Sequence, residues 1–387
     1  NAPYQTIPVV YGLLDQDLDT QIIKINKSFI GNTNNVEFAS INDCTQFDYL
    51  IASLVEYNTI GDSINTDTLQ EMYVQNIDPG IFYEDSQKVY YLPTILNPLN
   101  PLHEYQLRVN VPEKDLLFDA RTSLVDPDGF QFRFEGYFLS SMYIGKYRCA
   151  DKDLASDDVY YPTDIKWYSA ENGRRYELLL RFKFNEHMSD GSIETRYIDW
   201  DLGHKLSYTT SGNEPMNKLI RGNNFFEMVN SKLSNYDQES QVVKRTFDST
   251  AIEFLITAGN ESLNTYMEVN EPVTGIVTER PIFTNVVVNN GLSKGAGLLA
   301  SKNQKKLIST MSAGTILELC LGQKTSGYKF CLPNINTPFY RNLITELDLY
   351  PQIECIPSSP PPPPPPPLPP YCLLYTSPSP RDFEASR

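Results

Sequence analysis

Basic residues are scarce in this chain. Its 387 residues include 32 Lys and Arg against 48 Asp and Glu, which gives a formal net charge of −16. A protein that binds nucleic acid needs clustered Lys and Arg side chains to neutralise phosphates. The sequence contains no such cluster, and we therefore exclude nucleic acid as a partner.

Histidines and paired cysteines are also rare. The chain has three His and six Cys, and no two Cys stand in a C-x-x-C spacing. Zinc sites are built from such pairs and from His, so the sequence predicts no metal site and no cofactor. Cys320 and Cys331 flank the short segment "LGQKTSGYKF". Its spacing leaves two states open, a disulfide in an oxidising compartment or two free thiols.

Long apolar runs are missing too. No segment reaches the roughly 18–20 consecutive apolar residues of a membrane-spanning helix. The sequence also shows no secretory signal peptide. Because it begins "NAPYQTIPVV", without an initiator Met, we expect a processed or truncated chain, and the missing signal carries no weight.

Two motifs of common hydrolases and nucleotide-binding enzymes are absent. There is no H-E-x-x-H and no P-loop. We therefore predict no catalytic residue and a protein that is not an enzyme. The alternative is a carbohydrate-active enzyme that uses Asp199, Asp201 or Glu194, because glycosidases pair two carboxylates at the sugar and Trp200 lies between the two Asp. A solvated strand edge explains the same residues more simply.

One acidic turn has the beginning of a calcium loop. In "DQDLDT", Asp15, Asp17 and Asp19 match the first three ligand positions. Thr20 stands where the loop needs Gly, and Asn26 where it needs a bidentate Glu, which excludes an EF-hand. The alternatives are a weak surface calcium site and a solvated turn, and the turn is favoured.

Short apolar runs dominate the first third of the chain. They are separated by turn residues and show no helical period, which is typical of a β-sandwich. The predicted strands cover residues 6–14, 20–30, 49–57, 81–92 and 105–112.

The segment from Leu99 to Val109 is the most specific of these. Tyr105, Leu107 and Val109 alternate with polar residues, so one face of this strand is buried. A Leu-x-Pro lead-in followed by Tyr resembles fibronectin type III and immunoglobulin-like domains, in which this Tyr bonds upstream backbone. We expect His103 on the outer face. An edge strand that starts after a Pro is the simpler interpretation.

The second part of the chain mixes strands with a few helices. Asn172-Gly173 predicts a tight hairpin turn between two strands. Phe226, Val229 and Leu233 form a helical stripe within 222–235, and Asn260 is placed to cap a short helix after a strand at 249–259. Residues 305–320 fit a strand or a helix equally well.

These patterns predict a mainly β protein with three segments. Residues 1–125 form an immunoglobulin- or fibronectin-III-like β-sandwich, and residues 126–350 form a second β-rich domain with short helices. Residues 358–387 form a disordered tail.

The tail is unusual in composition, since half of the 28 prolines lie between Pro351 and Pro380. A polyproline run is a known ligand of SH3 and WW grooves. The following "CLLYTSPSPRD" resembles the translation of an adapter used in shotgun sequencing libraries. We therefore interpret the tail as an artefact.

Three segments together resemble a family of Bacteroidota cell-envelope lipoproteins that carry a domain of unknown function. These are "APYQTIPVVYGLLDQDLDTQIIKINKSFIG" (2–31), "GNNFFEMVNSKL" (222–233) and "VTERPIFTNVVVNNGLSKGAGLLAS" (277–301). The family's closing segment has an uninterrupted "NGLG" run, whereas here Ser293 and Lys294 separate Leu292 from Gly295.

The resemblance implies a location and a role. It implies a signal peptide that ends in a lipidated Cys upstream of Asn1, and hence an outer-membrane, lipid-anchored protein whose only membrane contact is that anchor. It also implies a non-catalytic binding or accessory component whose partner is a TonB-dependent outer-membrane receptor or a surface ligand.

Overall fold

The computed structural model describes residues 6–28, 45–75, 86–133, 141–142, 144, 160–236, 239–248, 250–271, 282–289 and 293–330. The predicted tail and Cys331 lie outside these residues, so neither the tail nor the disulfide is tested. Cys320 is buried. The described residues are mainly strands, as predicted from the sequence.

The strands are β1 (Pro8–Leu14), β2 (Thr20–Lys27), β3 (Ile51–Tyr57), β4 (Ser63–Thr68), β5 (Gln70–Gln75), β6 (Ser86–Pro93), β7 (Glu104–Val111), β8 (Leu116–Ser123), β9 (Gln131–Phe132), β10 (Ser141–Met142), β11 (Pro162–Tyr168), β12 (Arg175–Met188), β13 (Ile193–Leu206), β14 (Pro215–Arg221), β15 (Val242–Thr246), β16 (Ile252–Gly259), β17 (Val286–Val288), β18 (Ser293–Lys294) and β19 (Ala296–Met311). The α-helices of the described residues are α1 (Gly222–Ser234), α2 (Glu261–Asn270) and α3 (Ala313–Leu321).

The first eight strands form a two-sheet sandwich. One sheet has the order β1-β2-β6-β5, and the other has the order β8-β7-β3-β4. This is the strand order of immunoglobulin-like domains with an added strand beside the third. The predicted N-terminal sandwich is therefore confirmed. Both inner faces are apolar at alternate positions, and one buried cluster joins them, for example Ile23 and Leu92 with Leu107 and Phe118.

The corner before β7 forms as predicted. The hydroxyl of buried Tyr105 accepts a hydrogen bond from the Asn100 backbone N–H at 2.7 Å and donates to Glu56 Oε1 at 2.9 Å. The predicted position of His103 is wrong, because its ring is half-buried and its Nδ1 lies 2.7 Å from Glu56 Oε1. His103 precedes the first residue of β7, so strand alternation does not decide which way it faces.

The chain returns to the sandwich near its C-terminal end. β17 pairs with β8, and residues 296–301 of β19 pair in parallel with β1. Val286, Val288 and Leu299 are part of the sandwich core. Gly297 (φ +89°) makes the close approach to β1 feasible, since a Cβ there would lie 1.9 Å from the Val10 carbonyl oxygen. The division of the chain at residue 125 stays a prediction.

The second half of β19 enters a different environment. Residues 302–309 pair with β16, which pairs with β12, and β12 pairs with β13. The inner face of this four-stranded part is covered by α1, α3 and a small sheet of order β14-β11-β9. Aromatic rings fill the core, with Phe182 contacting Phe184, Phe225 and Phe247 at centroid distances of 5.2–6.1 Å.

The hairpin predicted at Asn172-Gly173 does not form. β11 pairs with β14 and β9, whereas β12 pairs with β13, β15 and β16, so the two strands belong to different sheets. Only Asn172 has a positive φ, whereas the predicted turn needs two such residues. The Tyr176 hydroxyl instead accepts the Ala170 N–H at 2.8 Å, which fixes a crossing between sheets.

The helix predictions are confirmed where the structure describes them. α1 buries Phe226, Val229 and Leu233, and the Asn260 side chain caps α2 by accepting the Leu263 N–H. The segment 305–320, for which the sequence left strand and helix open, contains the end of a strand followed by a helix. β19 continues to Met311, and Ser312 caps α3.

The segment between the two parts is tightly bonded. The Ser301 hydroxyl donates to Ser123 O at 2.8 Å and accepts the Val125 N–H at 3.0 Å. The side chains of Asn172 and Gln16 donate to the carbonyls of Leu124 and Val125 at 3.1 Å and 3.0 Å. Because this connection has its backbone groups satisfied by both parts, it is a fixed junction and not a flexible linker.

Candidate functional site

Of the carboxylates of the enzyme alternative, Asp199 and Asp201 lie on the outer face of β13, whereas Glu194 lies on the other face. Asp199 is held by Arg181 through two hydrogen bonds of 2.7 Å. These bonds lower the pKa of Asp199 and keep it ionised. Asp201 Oδ1 accepts the backbone N–H of Gly203 at 2.7 Å, and Glu194 lies 3.2 Å from Arg196. Each of the three carboxylates therefore already has a partner.

Trp200 lies on the opposite side of the sheet. Successive residues of a strand point to opposite faces, and the Trp200 ring packs 6.3 Å from Phe225 against the inner core. It provides no platform for a sugar beside Asp199 and Asp201. The structure does not assemble the aromatic-flanked carboxylate pair of the glycosidase alternative at this position.

A groove of about 500 Å³ crosses this outer face. Leu179 of β12 and Leu255 of β16 face each other across the sheet and form its apolar floor. Its polar lining comes from Asp201, His204, Thr257 and Gln304. We name it the outer-face groove. Four hydrogen-bonded strands supply its residues, so the positions of its polar groups are fixed before any ligand arrives.

Arg175 closes one end of the outer-face groove. Its side chain is buried, and it donates to Glu271 at 2.7 Å and to Glu177 at 3.2 Å. Its Nη2 also lies 3.0 Å from His204 Nδ1. Within the described residues, Arg175 Nη1 has no hydrogen-bond partner. The end of the groove is thus a polar corner with acidic, cationic and imidazole groups in contact.

A second cavity, of about 760 Å³, opens at the side of the sheet. It lies between residues 127–133, Tyr168 and residues 305–307. Although it is larger, its charges are largely engaged: Lys306 lies 2.6 Å from Glu253, and the Arg133 guanidinium stacks 4.9 Å from the Tyr168 ring centroid. We therefore take the outer-face groove as the candidate site.

The sequence analysis did not predict a buried charge cluster formed by Arg245, Glu186 and Glu239. Arg245 is fully buried, and its guanidinium donates to Glu186 Oε1 at 2.7 and 2.9 Å, to Glu239 at 2.5 and 2.9 Å, and to Tyr328 O at 2.7 Å. All five of its N–H groups are satisfied. Because Glu186 and Tyr328 come from distant parts of the chain, no local sequence motif predicts this cluster, and its role is structural.

The acidic turn of the sequence analysis lies between β1 and β2 at the junction. Asp15 is buried there, and Asp17 and Asp19 are exposed. In the part of the chain that the structure describes, no group of three or more His, Cys, Asp or Glu is arranged to hold a metal ion. Among the same residues, no helix is long and apolar enough to cross a membrane.

Comparison with known proteins yields little. No family model matches the chain, and neither does any curated protein. One similar solved structure is the C-terminal globular domain of an oligosaccharyltransferase from Pyrococcus abyssi, at 9% identity and a TM-score of 0.25. The alignment covers 64% of this chain and 46% of that one, so this chain spans less than half the length of its neighbour. A likeness this weak carries no argument about function.

Proposed function

We propose that this protein is a non-catalytic binding or accessory component of a bacterial cell envelope, and that its ligand lies in the outer-face groove. The observation that carries the proposal is the groove itself: an apolar floor at Leu179 and Leu255 with fixed polar groups around it. Binding sites combine apolar lining with a few placed polar groups in this way. The family resemblance of the sequence supports the envelope location, the upstream lipid anchor and an outer-membrane receptor as partner.

The state of the carboxylates supports binding over catalysis. A glycosidase needs one carboxyl group that holds a proton and one that is ionised. Asp199 has a lowered pKa because of Arg181, and this does not favour a proton donor at that position.

A single titration series tests the proposal. The full chain is incubated with a panel of neutral and acidic oligosaccharides, and both binding and new reducing ends are measured. We expect saturable binding without turnover. Leu255→Glu should abolish binding, because it places a charge on the groove floor. Ile308→Glu is the matched control, since Ile308 is exposed on the neighbouring strand β19 and does not line the groove.

Two results would contradict the proposal. Sustained turnover that disappears in Asp199→Asn or Asp201→Asn would establish the carbohydrate-active alternative. Equal loss of binding in Leu255→Glu and Ile308→Glu would show that the ligand does not lie in the outer-face groove.

A further inference from the structure

A β-bulge in β13 lies at the edge of the outer-face groove. Leu179 and Glu177 of β12 have one residue between them, whereas their partners on β13, Asp201 and His204, have two. The extra residue is accommodated at Gly203, which has φ +76° and donates its N–H to Asp201 Oδ1 at 2.7 Å. Bulges of this kind change the direction in which a side chain points.

The bulge brings Asp201 and His204 to the same face of the sheet. In a regular strand, residues three positions apart point to opposite faces. Here both residues line the outer-face groove, and both are exposed. Their partners Leu179 and Glu177 are two residues apart on β12, which corresponds to about 7 Å along the strand. A carboxylate and an imidazole are therefore neighbours in the groove.

Arg175 determines which nitrogen of His204 carries a hydrogen. Its Nη2 lies 3.0 Å from His204 Nδ1. A guanidinium group can only donate, so Nδ1 is the acceptor and carries no hydrogen. The hydrogen of the neutral ring is then on Nε2. Because His204 is exposed and lines the groove, this N–H is a hydrogen-bond donor that a ligand can reach.

Asp201 supplies the complementary acceptor. An ionised carboxylate has lone pairs for several hydrogen bonds. Asp201 can therefore accept from a ligand while it keeps the bond from the Gly203 N–H. A donor beside an acceptor matches hydroxyl groups, since each hydroxyl can both donate and accept.

The charges around the groove disfavour an acidic ligand. Two guanidinium groups and four carboxylates either line the groove or form ion pairs with residues that line it. They are Arg175 and Arg181, and Glu177, Asp199, Asp201 and Glu271. This local excess of negative charge repels an anion that enters the groove.

We propose that the outer-face groove selects uncharged oligosaccharides over uronic acids, with His204 Nε2 as donor and Asp201 as acceptor to sugar hydroxyls. This inference rests on the proposed function, which places the ligand in this groove. The floor of Leu179 and Leu255 packs against the C–H groups of a sugar ring. Arg175 contributes by holding His204 in the form that donates from Nε2.

The first test is calorimetric titration of the full chain with neutral hexasaccharides of glucose and of mannose. Each is compared with its C6-oxidised form, in which a carboxylate replaces the primary alcohol. We expect the oxidised form to bind at least about tenfold more weakly at low salt. The difference should narrow in about 0.5 M NaCl, because salt screens the repulsion.

Variants of the groove test the two named residues. His204→Phe should weaken binding of the neutral hexasaccharide roughly tenfold, because it removes the donor. His204→Gln should restore most of the affinity, since its amide can accept from Arg175 and donate to the sugar. Asp201→Asn should reduce the discrimination against the oxidised form. Tyr197→Phe is the matched control, since Tyr197 is exposed on the same face of β13 and does not line the groove.

A third measurement needs neither a ligand nor a variant. Nitrogen NMR of the histidine side chains should show His204 with its hydrogen on Nε2 and none on Nδ1. The result therefore stands whether or not His204→Phe folds.

Three results would overturn this inference and leave the proposed function standing. They are equal or tighter binding of the oxidised form, a His204 ring with its hydrogen on Nδ1, and equal affinities of His204→Phe and Tyr197→Phe. If no oligosaccharide of either kind bound, the proposed function would fail, and this inference with it.

Discussion

Two buried polar groups, one in each part of the molecule, are satisfied in different ways. In the sandwich, the buried hydroxyl of Tyr105 in β7 accepts a hydrogen bond from the backbone N–H of Asn100, five residues upstream. In the second part, Arg245 reaches Glu186 and Tyr328, which are 59 and 83 residues away. The bond between Tyr105 and Asn100 is local and leaves a sequence pattern. The bonds from Arg245 to Glu186 and Tyr328 depend on the finished fold and leave none.

Among the tests of this comparison, replacing the buried Arg245 should lower the free energy of unfolding the most. Arg245→Ala leaves Glu186 buried without its main counter-ion, and breaking a buried pair in this way costs about 3–5 kcal/mol. Arg181→Ala removes the partly exposed bidentate pair with Asp199 and should cost about 0–1 kcal/mol. Urea unfolding followed by circular dichroism measures both. Similar costs would mean that the Arg245 cluster is not what stabilises the second part.

Replacing Tyr105 or Tyr176 should have the next largest effect on the free energy of unfolding, and the two effects should be similar. Tyr105→Phe and Tyr176→Phe each leave a backbone N–H without its acceptor, at a cost of about 1–3 kcal/mol. Burial raises the pKa of Tyr176 to about 12, as expected for a hydroxyl shielded from water. Tyr197→Phe is the control, because Tyr197 is exposed. If Tyr105→Phe matched that control in unfolding free energy, the corner would not stabilise the sandwich.

The smallest expected change in stability is that of Asp15→Asn, and it depends on pH. Its pKa is raised in the folded state, first by burial. The folded state therefore holds the proton more tightly, and stability is lost as the pH rises through the folded pKa. Asp15→Asn cannot ionise, so it should raise the Tm at pH 7 and leave it unchanged below about pH 4. A lower Tm at pH 7 would show that the ionised carboxylate is stabilising there.

The sequence predicted those features that depend on neighbouring residues. The alternation of Tyr105, Leu107 and Val109 indicated a half-buried strand, and the spacing of Phe226, Val229 and Leu233 indicated the stripe of α1. Asn260 was recognised as a cap because the donor that it satisfies is three residues away. In each case the physical cause lies within one turn of helix or one strand.

The failures have a common cause as well. Asn172-Gly173 has the composition of a hairpin turn, but the register of two separate sheets decides where β11 and β12 pair. For the candidate site, Asp201 was identified as a residue of interest, whereas its neighbours Leu179, Leu255 and Gln304 were not. These residues meet only because β12, β13, β16 and β19 align side by side, which local spacing cannot reveal.

The double use of β19 has a consequence for synthesis on the ribosome. The pairing of Val9 with Ala296 joins residues that are translated far apart in time. β1 can pair with its parallel neighbour β19 only after most of the second part has left the ribosome. A nascent chain that stops after β8 therefore carries an incomplete sandwich with one edge of β1 exposed. Folding of the first part during synthesis would therefore leave it without Val286, Val288 and Leu299 of its core until the second part is made.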